Sequence, residues 1–177
     1  MHWKSYILVA ALVGLIPYAQ ASEFRSFDRS AQVRGSDLVV RGRIISLSSA
    51  WDETRSSIRT DVELSIDEVW KGTAEEGDRL IVRTLGGTVD NIMLTVDGAA
   101  SFSAGEDVVL FLRRTGDVYT PWGMIFGKYQ VVGSPADPFV IGSLPPAVAG
   151  GHGYEQVSLT LNDLRAEVRS ALDGEAR

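Results

Sequence analysis

The chain contains no cysteine and only two histidines. The first absence excludes thiol catalysis, thiolate zinc centres and disulfides, so the fold must stand on packing alone. The second leaves little for metal or triad chemistry. His152, inside GGHGY, is the single histidine beyond residue 21, and a zinc site around it would need mostly carboxylates. Lysine is scarce too: Lys71 and Lys128 are the only two beyond residue 21. No apolar run after the N-terminal region is long enough to span a bilayer. Signature loops are also missing. There is no GxxxxGK[ST] phosphate loop, no GxSxG elbow and no DxDxDG calcium loop. SFSAG around Ser101 and Ser103 lacks the first glycine of the elbow. The net charge is −6, and a surface of that sign repels polyphosphate, because nucleic-acid affinity rests largely on cations that neutralise phosphates.

What is present starts with an export signal. MHWK is a short basic segment, SYILVAALVGLIPY an apolar one, and Ala19-Gln20-Ala21 a small-x-small cleavage site. This predicts a signal peptide over residues 1–21 and a mature chain, 22–177, of a length that suits a single domain with its own core. Export to the periplasm or the exterior follows, with no membrane span after cleavage.

The mature sequence reads as strands framed by helices. A short helix ending at Gly35 comes first, with Ser26 as its cap. DLVVRGRIISLSSAW follows as a strand with Gly42 in its middle, where a glycine marks a bulge or the close approach of another backbone. IRTDVELSIDEVWKG alternates strictly, with Ile58, Val62, Leu64 and Ile66 on one face and Arg59, Asp61, Glu63, Ser65 and Asp67 on the other. DRLIVRTL is a third strand and TVDNIMLTVDG a fourth. DVVLFLRR is a continuous apolar run of strand length, predicted to be buried on both faces. VYTPWGMIFGKYQVVG reads as one or two strands interrupted by Pro121 and glycines, and SPADPFVIGSLPPAVAGGHG as a loop. A C-terminal helix over 160–173 places Leu161, Leu164, Val168, Ala171 and Leu172 on one face, with Thr160 and Asp163 as a capping pair. Short strands at intervals near ten residues, then one helix, predict a mainly β fold, a small closed barrel or a sandwich.

Among candidate chemistries, RTLGGTVDNI carries a glycine doublet between strands, which reads as a turn where glycine supplies positive φ. The acids at 67–69, 75–78 and 105–107 sit at strand ends and turns, and no spacing places a pair across a cleft. Arg41, Arg43, Arg79, Arg83, Arg113 and Arg114 read as the wet face of a sheet rather than a nucleic-acid surface. The aromatics say more. Trp51, Trp122, Met124, Phe126 and Tyr129 are the candidate binding residues, an apolar anchor patch set between glycines. Core packing is the competing account of the same residues, and for Trp70 it is the preferred one.

In order along the chain, SDLVVRGRI, TDVELSIDEVWKG, DRLIVRTLGGTV, FSAGEDVVLFL and GKYQVV resemble a group of secreted bacterial domains, some of them found near or fused to matrixin-type zinc metalloproteases. More distantly, the motif order over residues 27–133 is similar to the domains that resemble tissue inhibitors of metalloproteinases. The resemblance implies a netrin-module fold, a small closed OB-like β-barrel of five strands with a short N-terminal helix and a C-terminal helix beside it. Inhibitors of that family chelate zinc through an N-terminal cysteine. Here the mature chain would start at Ser22, so no site residue carries over. The expectation is a non-enzymatic, exported protein-binding module with no cofactor and no metal. A regulator or accessory domain of a secreted metalloprotease is the alternative, and a hydrolase with carboxylate or His152 chemistry is a further one.

Overall fold

The computed structural model describes residues 28–145 and 153–175. The expected signal peptide, the Ser26 cap and His152 lie outside the described residues. The described chain is mainly β with a helix at each end: α1 (Arg29–Arg34), β1 (Leu38–Trp51), β2 (Ile58–Lys71), β3 (Arg79–Leu85), β4 (Gly87–Val89), β5 (Ile92–Leu94), β6 (Asp107–Thr115), β7 (Val118–Pro121), a 3-10 turn (Met124–Gly127), β8 (Lys128–Ser134), β9 (Asp137–Leu144), β10 (Glu155–Thr160) and α2 (Leu161–Glu175). The large sheet runs β1-β2-β3-β7-β6-β8-β9-β10, and β1 pairs with β6 as well. All these pairings are antiparallel except β3 with β7, which meet in parallel through one residue pair, Val82 and Tyr119.

The alternation of β2 is realised: Ile58, Thr60, Val62, Leu64 and Ile66 are buried, while Arg59 and Asp67 face water. The apolar run of β6 is buried on both faces, from Val108 to Leu112. Its neighbour β1 behaves likewise at Leu38, Val39 and Val40. The cause is that two cores share these strands. Leu38, Val40, Val108, Leu110 and Leu112 pack with Ile44, Val62, Leu64 and Val82 on one side. Val39, Val109 and Phe111 pack on the other side with Val33 of α1 and with Leu161, Leu164 and Val168 of α2.

Gly42 sits between the two halves of β1, at a register shift against β2. A Cβ there would lie 2.2 Å from the Ser65 carbonyl oxygen. The strands can approach this closely only because the side chain is missing.

Two segments depart from the sequence expectation. TVDNIMLTVDG is a small hairpin, β4 with β5, rather than one strand. Asp90 takes φ 53 at its turn, a conformation aspartate tolerates better than most residues. The doublet Gly86-Gly87 lies one step earlier, with φ 85 and 137. There Thr60 Oγ1 donates to the Gly86 carbonyl at 2.7 Å, and a Cβ on Gly87 would meet that hydroxyl at 2.3 Å. Close approach, as well as positive φ, selects these glycines.

The region expected to be a proline-rich loop contains β9 and leads into β10. Pro138 is compatible with β9 because the β9–β10 register ends at Phe139 with Thr160, so nothing on that side needs its missing N–H. Gly142 is required by Tyr129, whose ring atoms lie 2.3 Å from where a Cβ would stand.

The strand β10 passes directly into α2. Thr160 Oγ1 accepts a hydrogen bond from the Asp163 N–H at 3.0 Å, and Asp163 places a negative charge in the first turn. Thr160→Ala is expected to lower stability by about 1 kcal/mol in urea denaturation. Thr160→Ser should recover most of it, and an unchanged midpoint in the alanine variant would mean the cap is idle.

Candidate binding cleft

The five residues singled out from sequence separate in the structure. Tyr129 is fully buried, edge-on to Phe111 at 5.7 Å, and accepts a hydrogen bond from the Arg29 guanidinium. Burial pushes its phenol pKa up. It belongs to the core and offers no surface. Trp122 is half-buried against the helix-side core, and its backbone N–H donates to the Phe111 carbonyl at 2.7 Å. Phe126 is half-buried too, edge-on to Tyr154 at 5.8 Å, while its carbonyl accepts from Gln32 Nε2 at 2.7 Å. The Ile125 N–H donates to the Gly98 carbonyl at 2.9 Å. Residues 122–129 therefore fasten α1, β6 and the 97–100 loop together, which is a structural task. Met124 is the exception. It stays 38% exposed and adopts φ 62, in the left-handed region, directly after Gly123 at φ 64.

Met124 stands on the rim of a cleft of about 600 Å³. The cleft opens where β3 and β7 part company beyond their single bridge. β3 contributes Arg83, Thr84 and Leu85, and β7 contributes Val118, Thr120 and Pro121. Arg59 of β2, the β6–β7 turn at Thr115-Gly116, and Ala99-Ala100 complete the lining. Leu85 is 44% exposed, an apolar side chain on the outward face of β3 beside Arg79, Ile81 and Arg83. A second hollow of about 270 Å³ adjoins the first, sharing Arg59 and Arg83 with it and ending at Trp51, Asp52 and Glu53. Trp51 thus lines one hollow and Met124 the other, with Arg59 and Arg83 shared between the two.

Comparison with protein-family models, curated proteins and solved structures finds no match. The chemistry of the surface therefore has to be read from its own side chains.

Two arginines dominate it, and they differ. Arg83 forms a bidentate pair with Asp61 across the β2–β3 ladder, at 2.6 and 2.7 Å. That hydrogen bond raises its pKa and fixes the fork in place. Arg59 forms no ion pair with a described residue. The cleft lining itself carries no carboxylate. Several other cations are engaged: Arg41 with Asp107 and Glu68, Arg79 with Glu63, Lys128 with Glu106, and Lys71 with the Val33 carbonyl. Among the described residues, no group of three His, Cys, Asp or Glu side chains is placed to hold a metal ion. No helix among them is long and apolar enough to cross a membrane.

Sequence reasoning named one residue of each hollow, Trp51 and Met124, and missed the two arginines they share. Arg59 and Arg83 looked like ordinary wet-face residues of alternating strands. One signal was available: DRLIVRTL puts Ile81 and Leu85 on the same face as Arg79 and Arg83, and apolar side chains on a wet face mark a surface that something covers.

Proposed function

We propose that the protein is an exported, non-enzymatic binding module, built on a small closed barrel of OB type, and that a protein partner docks in the cleft between β3 and β7. The barrel reading is supported by the sequence of pairings β1–β2–β3–β7–β6–β1, which returns to its starting strand through five members. It is also supported by the one parallel contact falling between β3 and β7. In OB folds the second and third strands, with the loops after the first and fourth, form the ligand face. Here those positions are taken by Arg59, Arg83, the β1–β2 turn beyond Trp51, and Thr115-Gly116. That correspondence is an analogy of fold, not of ligand. Export rests on residues 1–21.

The observation that carries the reading is local. Met124 holds a left-handed backbone conformation that costs a residue with a Cβ about 1 kcal/mol, and residues held in such conformations cluster at functional sites. Asparagine tolerates that conformation better. Met124→Asn is therefore expected to leave the thermal midpoint unchanged or slightly raised while weakening partner capture. The check uses immobilised protein exposed to the host's envelope and secreted fractions, beside Met124→Asn and Leu85→Asn. Equal retention of the same partner by all three proteins would remove the cleft from the proposal. A secreted metalloprotease retained only by the wild type would identify the partner class that the sequence resemblance implies.

A further inference from the structure

The charge of the cleft runs against that of the chain. The chain carries −6, yet the lining of the cleft holds two guanidiniums and no carboxylate. Asp61 pairs with Arg83, and Arg59 forms no ion pair with a described residue, while its other side borders the hollow that holds Asp52, Glu53 and Asp61. The rest of the lining is mostly apolar, with Leu85, Val118, Pro121 and Met124 beside the threonines Thr84, Thr115 and Thr120. A cation beside an apolar hollow selects a ligand with a carboxylate next to an apolar group. The flanking backbone narrows the choice further. β3 is paired to β2 on one edge, and on the other only Val82 is bridged, to Tyr119 of β7. β7 in turn is paired to β6 on its far edge. The facing edges of Arg83–Leu85 and Thr120–Pro121 form no ladder with each other, and on the β7 side Pro121 offers a carbonyl but no N–H. An extended chain can use such edges for main-chain hydrogen bonds while its side chains enter pockets, and a fatty acid cannot.

We propose that the cleft receives an extended peptide segment of the partner, with an aliphatic side chain among Leu85, Val118 and Met124 and an adjacent Asp or Glu on Arg59. The Asp61–Arg83 pair acts as a positioning element, keeping Asp61 from neutralising Arg59. This inference rests on the reading of the cleft as the docking surface and adds the class of ligand.

The test uses a positional-scanning library of pentapeptides, acetylated and amidated at the ends so that only side chains carry charge. The full chain, with its thermal midpoint checked for each variant, is bound to the array. The expected result is enrichment of Asp or Glu beside Leu, Ile or Met. Replacing that acid by its amide should weaken binding about tenfold, the scale of one charge-assisted hydrogen bond. Arg59→Gln should abolish the acid preference while keeping the aliphatic one, and Arg59→Lys should restore part of it. No enrichment, enrichment of Lys or Arg, or an acid preference that survives Arg59→Gln would each overturn the proposal. So would octanoate binding that depends on Arg59 when no peptide binds, because the ligand would then be a small organic acid. Partner capture lost in Met124→Asn but intact in Arg59→Gln would defeat the acidic-peptide proposal and leave the cleft as docking surface. Capture intact in Met124→Asn, Leu85→Asn and Arg59→Gln would defeat both.

Discussion

Gly42→Ala is expected to lower stability by about 3 kcal/mol, at the upper end of what overpacking costs. The added Cβ would meet the Ser65 carbonyl oxygen at 2.2 Å, its carbon at 3.1 Å and the Ile66 Cα at 3.2 Å. All three are backbone atoms, so no side chain can swing aside. Relief requires β1 to move away from β2 where β1 also pairs with β6, at Gly42 with Val108. The disturbance therefore reaches both cores. Urea denaturation followed by circular dichroism measures it. Gly77→Ala is the control: Gly77 has φ 89 with nothing within 4 Å, so the change should cost only the conformational penalty, about 1 kcal/mol. Equal losses at the two positions would mean that the β1–β2 approach is not limiting.

The second large effect is expected from Glu68→Gln. Glu68 accepts from Arg41 Nη1 at 3.0 Å, Arg165 Nη2 at 2.6 Å and Trp70 Nε1 at 3.0 Å. Arg165 also lies over the Trp70 ring, 5.3 Å from its centroid. One carboxylate thereby ties α2 to the sheet through two guanidiniums. Removing its charge leaves Arg165 without a carboxylate partner and Arg41 with Asp107 alone. Breaking a fully buried pair costs about 3–5 kcal/mol. These side chains keep 24% to 29% of their exposure, so water relieves part of the loss. About 2 kcal/mol at pH 7 is expected.

The pH dependence gives an independent check. Burial pushes the Glu68 carboxyl up, but the Trp70 N–H and the two arginines outweigh it and hold the pKa below the ordinary value. A carboxyl depressed in the folded state stabilises fully above the unfolded pKa, near 4.3, and loses that contribution as pH falls through the folded pKa. Wild type and Glu68→Gln should therefore differ most at neutral pH and converge below about pH 4. A gap that stays constant down to pH 3 would assign the loss to packing instead of charge.

The legible parts of the fold were those where local pattern and environment agree. The alternation of β2 needs only one buried face, and Ile58 to Ile66 state it openly. The run from Val108 to Leu112 announced two buried faces, although nothing local says that the second face meets α1 and α2. β9 was hidden because Pro138 and Gly142 are loop signals whose exemptions are tertiary: β10 ends before the proline, and the Tyr129 ring occupies the glycine's missing side chain. The binding surface was half legible for a related reason. Trp122, Phe126 and Tyr129 look alike in sequence to Met124, but the helix-side core takes in Trp122 and Tyr129, the Tyr154 ring meets Phe126, and Met124 stays exposed. Arg59 becomes distinctive only after β3 has brought Arg83 to Asp61.

The double duty of β1 and β6 also governs how the chain comes together. Leu38 must find Leu112, and Arg43 must find Asp107, before either hydrophobic cluster has walls. Closing so long a loop is entropically unfavourable and slow compared with forming a helix or a hairpin. The β1–β2 hairpin and α2 can flicker early, yet neither has a finished surface to rest on until that distant pairing is made. Assembly is therefore expected to wait on that remote encounter, and with no cysteine available to trap a partial state, the chain has no covalent means of holding its progress.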